Sequence, residues 1–102
     1  MPQTSAARPR LILDCDPGVD DAMAIIAASR WADLVGITTV AGNVALEHTT
    51  ANACRLRSLL GLDVEVHAGA DGPLVGRQEF ARHVHGETGL GDVVLPEPDR
   101  GP

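Results

Sequence analysis

The sequence is nearly free of aromatic residues, with one Trp, one Phe and no Tyr among 102 residues. Its core must therefore be aliphatic. Basic residues are also scarce: 8 Lys and Arg stand against 14 Asp and Glu, for a formal charge of −6. That balance argues against a nucleic-acid backbone or an anionic membrane surface as partner. Long apolar runs are missing, and none approaches the ~20 residues that a membrane helix needs. The opening "MPQTSAARPR" has basic residues but no apolar signal core behind it. A cytoplasmic protein with a flexible N-terminal tail over residues 1–9 is expected. Cysteine is limited to Cys15 and Cys54, which have neither metal nor redox spacing. Buried free thiols are the expectation for both. What remains, 44% hydrophobic and 22% charged, is the composition of one small globular domain.

The apolar residues alternate between two kinds of segment. "RLILDC", Arg10–Cys15, is a short apolar run ending in acid and reads as a buried strand. "PGV" breaks it. "DDAMAIIAASRW" is Ala- and Ile-rich, with Asp20 and Asp21 at its start, where the helix dipole favours negative charge. A second buried strand is expected over Leu34–Val40, in "DLVGITTVAG". In "LEHTTANACRLRSLLG", Leu46, Thr49, Ala53, Leu56 and Leu60 step by three and four, and Gly61 is a plausible stop. "DVEVHAGA" reads as a third strand; beyond it lie a glycine-studded loop, "HGETGLGD", and an extended "LPEPDRGP". Strand, helix, strand, helix, strand, with unbroken apolar strands, predicts an α/β fold on a parallel sheet. Ligands of such sheets bind outside the strands' C-terminal ends. There the order places Asp14 and Asp16, then Asn43, then "HAGA".

The stretch "LILDCDPGVDDAMAI" puts Asp14, Asp16, Asp20 and Asp21 within eight positions. Helix capping and the helix dipole explain one or two of these acids, not four. An EF-hand calcium loop has similar early spacing. Here, however, Gly18 and Val19 occupy its fifth and sixth positions, and the terminal glutamate is lacking. A phosphotransferase of the haloacid-dehalogenase type also opens on a strand ending in D-x-D. In this sequence Pro17-Gly18 follows, and two further aspartates would go unused. A site for a divalent cation and a polyol uses all four: Asp16 and Asp21 could supply hard oxygen ligands, and the others could accept sugar hydroxyls.

The string "DCDPGVDDAMAI" resembles the N-terminal signature of the nucleoside hydrolases, the inosine–uridine-preferring group. "LVGITTVAGNVALEHTTANA", "VEVHAGADGPL" (His67 standing where an aromatic is more usual) and "HVHGETGLGDVVLPEP" resemble that family's next blocks in the same order. The resemblance covers roughly Leu11–Pro98. It implies a Rossmann-like parallel sheet with flanking helices, the βαβαβ portion of the nucleoside hydrolase fold, over residues 10–98, with 99–102 a tail. It also implies calcium-dependent hydrolysis of ribonucleosides to ribose and free base.

By the same resemblance, Asp16 would bind calcium and act as general base on water, Asp21 would bind calcium, and Asp20 would bind the ribose hydroxyls. Asn43 would position ribose or water, Asp14 would orient its neighbours, and His85 would contact the leaving base. His48 and His83 read as ordinary surface residues. Family chains are longer. Their remaining calcium ligands and the histidine that protonates the base have no counterpart here, so a truncated form is expected. The other reading is a non-catalytic remnant that binds calcium or ribose, or that associates with a full-length partner. Two helices cannot cover both faces of a three-stranded sheet. The isolated chain is therefore expected to be marginally stable and to self-associate, in keeping with the family's habit of forming homo-oligomers.

Overall fold

The computed structural model describes residues 8–77, 79, 88–91 and 93–102. The chain runs β1 (Arg10–Cys15), α1 (Val19–Trp31), β2 (Asp33–Thr39), α2 (Leu46–Leu60), β3 (Glu65–Ala68). The three strands form one parallel sheet in the order β1-β2-β3. The register pairs Leu13 with Ile37 and Ile37 with Val66, after a one-residue slip between Leu11 and Ile12. No helix among the described residues is long and apolar enough to cross a membrane.

Each helix stops for a local reason. Ala32, which follows α1, is already extended, and the chain enters β2 at once. α2 ends on Gly61, whose φ of 65° is left-handed backbone that a side chain disfavours. The two crossovers advance across the sheet in one direction, so both helices fall on one face. A single core results, joining Cys15, Ile37 and Val66 of the sheet to Ile25 of α1 and Ala53 and Leu56 of α2.

The opposite face carries Ile12, Asp14, Thr38, Glu65 and His67, and among the described residues no helix lies over it. This corrects one expectation. β1 is not a buried strand: Leu11 is 36% exposed and Ile12 63%. An unbroken apolar run implies two covered faces, whereas the described residues cover one. Both thiols are free and buried, as the lack of cysteine spacing suggested. Residues 99–102, read from sequence as a tail, are tied to α2. Ser58 donates to Asp99 Oδ1 at 2.6 Å, and the Arg57 guanidinium donates to the carbonyls of Arg100 and Gly101 at 2.7 and 2.8 Å.

Ile37 is fully buried at the centre of the sheet. Ile37→Ala is expected to cost about 2–5 kcal/mol, a large part of the roughly 5–15 kcal/mol that holds an ordinary domain together. The exposed Ile12→Ala should stay within about 0.5 kcal/mol. Urea unfolding midpoints check this, and equal shifts for the two variants would contradict the one-sided core.

Candidate functional site

The strands' C-terminal ends converge because their ladders continue past the last strand residues. Val40 N–H donates to the Cys15 carbonyl at 3.0 Å, Gly69 N–H to Thr39 at 2.7 Å, and Ala41 N–H to Ala70 at 2.9 Å. On this platform Asp16 leaves β1 and meets the turn after β2. Asn43 N–H donates to Asp16 Oδ2 at 2.9 Å. Asp16 N–H in turn donates to Asp21 Oδ2 at 2.9 Å. A carboxylate from the strand end, one from the first turn of α1 and the turn after β2 are thus bound into one unit.

Close packing makes this possible at Gly42. A Cβ there would sit 2.1 Å from Asp16 Oδ2, so only glycine admits the carboxylate. Asp14 lies on the uncovered face and accepts the Thr38 hydroxyl at 2.7 Å, from its register partner on β2. Asp20 is exposed on the first turn of α1. His85 and His83 lie outside the described residues. Asn43 reaches the acids through its main chain, which the sequence reading did not anticipate.

The site is electrostatically uneasy. Burial pushes the Asp21 carboxyl above the ordinary aspartate value. The neighbouring Asp16 carboxyl and the charges of Asp16 and Asp20 add to the shift, against the lowering effect of the Asp16 N–H. Beneath it, the Cys15 thiol is pushed up to about 12 by burial and by the charges of Asp21, Asp14 and Asp16. That thiol is inert and serves packing.

Asp21 makes stability depend on pH. Its folded pKa is raised, so its own contribution to stability is fully present only with Asp21 protonated, below the ordinary value of 3.8. That contribution is lost as pH rises through the raised value. Without a cation, Asp21→Asn should therefore raise the melting temperature at neutral pH and flatten its fall with rising pH. Melting curves in chelator check this. Identical pH profiles for wild type and variant would rule it out.

Hard oxygen donors on adjacent, mutually repelling carboxylates suit a hard cation in kind. Two carboxylates supply at most four of the roughly 6–8 oxygens that calcium takes. Among the described residues no group of three His, Cys, Asp or Glu is arranged to hold a metal. The residues present thus fit a calcium ion as part of its shell. A groove of about 480 Å³ lies elsewhere, between α2 and residues 98–102, and the acids do not line it.

Asn52 of α2 is a residue that the sequence reading passed over. It is fully buried and donates to the carbonyls of Pro17 at 3.0 Å and Thr88 at 2.6 Å. Its position, three residues after Thr49 and four before Leu56 on the apolar face, was the available signal.

The fold has known counterparts. The solved structure of a plant nucleoside hydrolase, the PpNRh1 enzyme, superposes with a TM-score of 0.84 at 38% identity, over 93% of this chain and 31% of that one. An inosine-guanosine nucleoside hydrolase superposes with a TM-score of 0.81 at 36% identity, over 89% and 29%. In sequence, the inosine-uridine preferring nucleoside hydrolase of Leishmania major is 48% identical over 90 residues, 85% of this chain and 29% of that protein. The pyrimidine-specific ribonucleoside hydrolase RihA of Photobacterium profundum is 50% identical over 91 residues, 86% and 29%. The chain spans about three-tenths of the length of these relatives. The family model for inosine-uridine preferring nucleoside hydrolases matches residues 11–102, from the first strand through the aspartates and both crossovers, and the chain belongs to that family.

Proposed function

We propose that this chain carries the ribose- and calcium-binding end of a hydrolase that cleaves the N-glycosidic bond of ribonucleosides, releasing ribose and free base. The observation that supports this most is the Asp16 carboxylate, fixed by the Asn43 N–H and set against Asp21 at the C-terminal edge of the sheet. Asp16 and Asp21 would hold the cation. Bound there, calcium supplies a positive charge that eases ionisation of a water and offers coordination sites to a sugar diol.

The chain's own residues do the rest. Asp16 takes the proton of the attacking water, and the Asn43 N–H keeps its oxygen from rotating away. Asp20, exposed at the helix start, accepts hydrogen bonds from the ribose hydroxyls. Bond cleavage leaves positive charge on the sugar, and the surrounding carboxylates stabilise it as it develops. Asp14, braced by Thr38, keeps the strand end in register. His85 is assigned to the leaving base on family resemblance. Two unpaired buried thiols suit a cytoplasmic setting.

A second reading has its own support. On α1, Met23 is 69% exposed, Trp31 50% and Ile26 39%, and the three line one apolar groove of the kind that marks an interaction site. In that reading the chain binds calcium or ribose without turnover and associates with itself or with a longer relative. Ribose release from inosine and uridine, with calcium and with chelator, separates the two when a full-length relative serves as positive control. Release that chelator abolishes supports the hydrolase. Its absence beside an active control supports the binding remnant.

A further inference from the structure

We infer that Asn52 is a positioning residue for the acidic site, acting through Pro17 and Thr88 rather than on substrate. That role rests on the functional reading above; the clamp itself does not. Both groups facing the Asn52 amide are carbonyls, so the NH2 must point at them and its orientation is fixed by chemistry.

One donor holds the residue that follows Asp16. The other holds Thr88, and the segment after it packs tightly on the same spot. Gly89, at φ 98°, has backbone that a side chain disfavours, and a Cβ there would crowd Val44 at 3.0 Å and Asn52 Nδ2 at 3.3 Å. Val44 belongs to the turn whose preceding residue, Asn43, grips Asp16. Two segments remote in sequence, the turn after β1 and residues 88–90, therefore meet at one buried amide, and the turn after β2 packs against Gly89 of the second through Val44.

The other end of the side chain shows that this is not simple core filling. Asn52 Oδ1 is buried with no hydrogen-bond partner among the described residues. An unpaired buried acceptor destabilises a fold. An apolar residue would fill the same space without it, but could not bind two carbonyls.

The test is amide hydrogen exchange by NMR on the whole chain, comparing wild type with Asn52→Asp, which keeps the shape but can no longer donate to both carbonyls at once. Three amides report the geometry: Asp16 N–H bonded to Asp21, Asn43 N–H bonded to Asp16, and Val93 N–H bonded to the Leu90 carbonyl. All three are expected to exchange about tenfold faster or more, while the interior amides of β2 and α2 keep their protection. Unchanged exchange at the three, or an equal loss along the whole of α2, would overturn the inference.

If Asn52→Asp does not fold, the wild type still decides. Its two Asn52 side-chain protons should be separately resolved and slow to exchange, and a freely exchanging pair would defeat the clamp. Loss of the hydrolase reading looks different: wild type would show neither calcium-dependent ribose release nor calcium-induced shifts at Asp16 and Asp21, with the exchange pattern intact.

Discussion

Asp16→Ala is expected to abolish calcium-dependent ribose release, by roughly 10²–10⁴-fold for loss of the base alone. Loss of a cation ligand adds to that. The expectation follows from how completely the surroundings are built around this carboxylate. One oxygen is held by the Asn43 N–H at 2.9 Å, and the N–H of Asp16 itself holds Asp21. Asp16→Asn sharpens the test. It keeps the volume, but it removes the charge and places an amide where an acceptor is needed. Ribose release and calcium titration on both variants check the prediction. Wild-type turnover in Asp16→Ala would remove Asp16 from the chemistry and leave only the family likeness behind its assignment.

Gly42→Ala should lose nearly as much, although it touches no group that reacts. The added methyl would lie 2.1 Å from Asp16 Oδ2 and 2.6 Å from its Cγ. Either the carboxylate rotates out of the site or the turn after β2 opens, and each breaks the Asn43 bond. Gly36→Ala is the control, since a Cβ there meets nothing within 4 Å. It should change stability by no more than about 0.5 kcal/mol and leave calcium binding intact. Calorimetric titration of both variants distinguishes the outcomes. Equal calcium affinity in wild type and Gly42→Ala would mean that the turn relaxes freely and that its tightness is unrelated to the site.

Much of this was legible in the sequence. Arg10–Cys15 reads as a strand from its apolar run and is one. The steps of three and four from Leu46 to Leu60 mark α2, and Gly61 ends it. β2 opens one residue before Leu34, because pairing with β1 begins at Asp33 opposite Arg10. The acids were legible as a group because four like charges beside a core strand need a reason. What each contacts was not, since the Asn43 grip on Asp16 is a main-chain bond and depends on no side chain. Asn52 and Arg57 escaped notice for a related reason. A polar residue in a helix reads as solvated, and only the fold shows that both are buried, with main-chain carbonyls as their partners. Burial of β1 was misjudged because a sequence reveals apolar content but not which neighbours lie over it.

The order β1-β2-β3 has a consequence for how the fold assembles. Each strand's partner in the sheet is the next strand in the chain, so β1 meets β2 across a separation of 23 residues, from Arg10 to Asp33. Short separations of this kind close at small entropic cost and favour fast folding. The β1–α1–β2 unit, which sets Asp16 beside Asp21, therefore rests on shorter separations than the contacts of Asn52 to Pro17 and Thr88, 35 and 36 residues apart, and can form ahead of them. The turn after β2 then closes over an aspartate pair that is already in place.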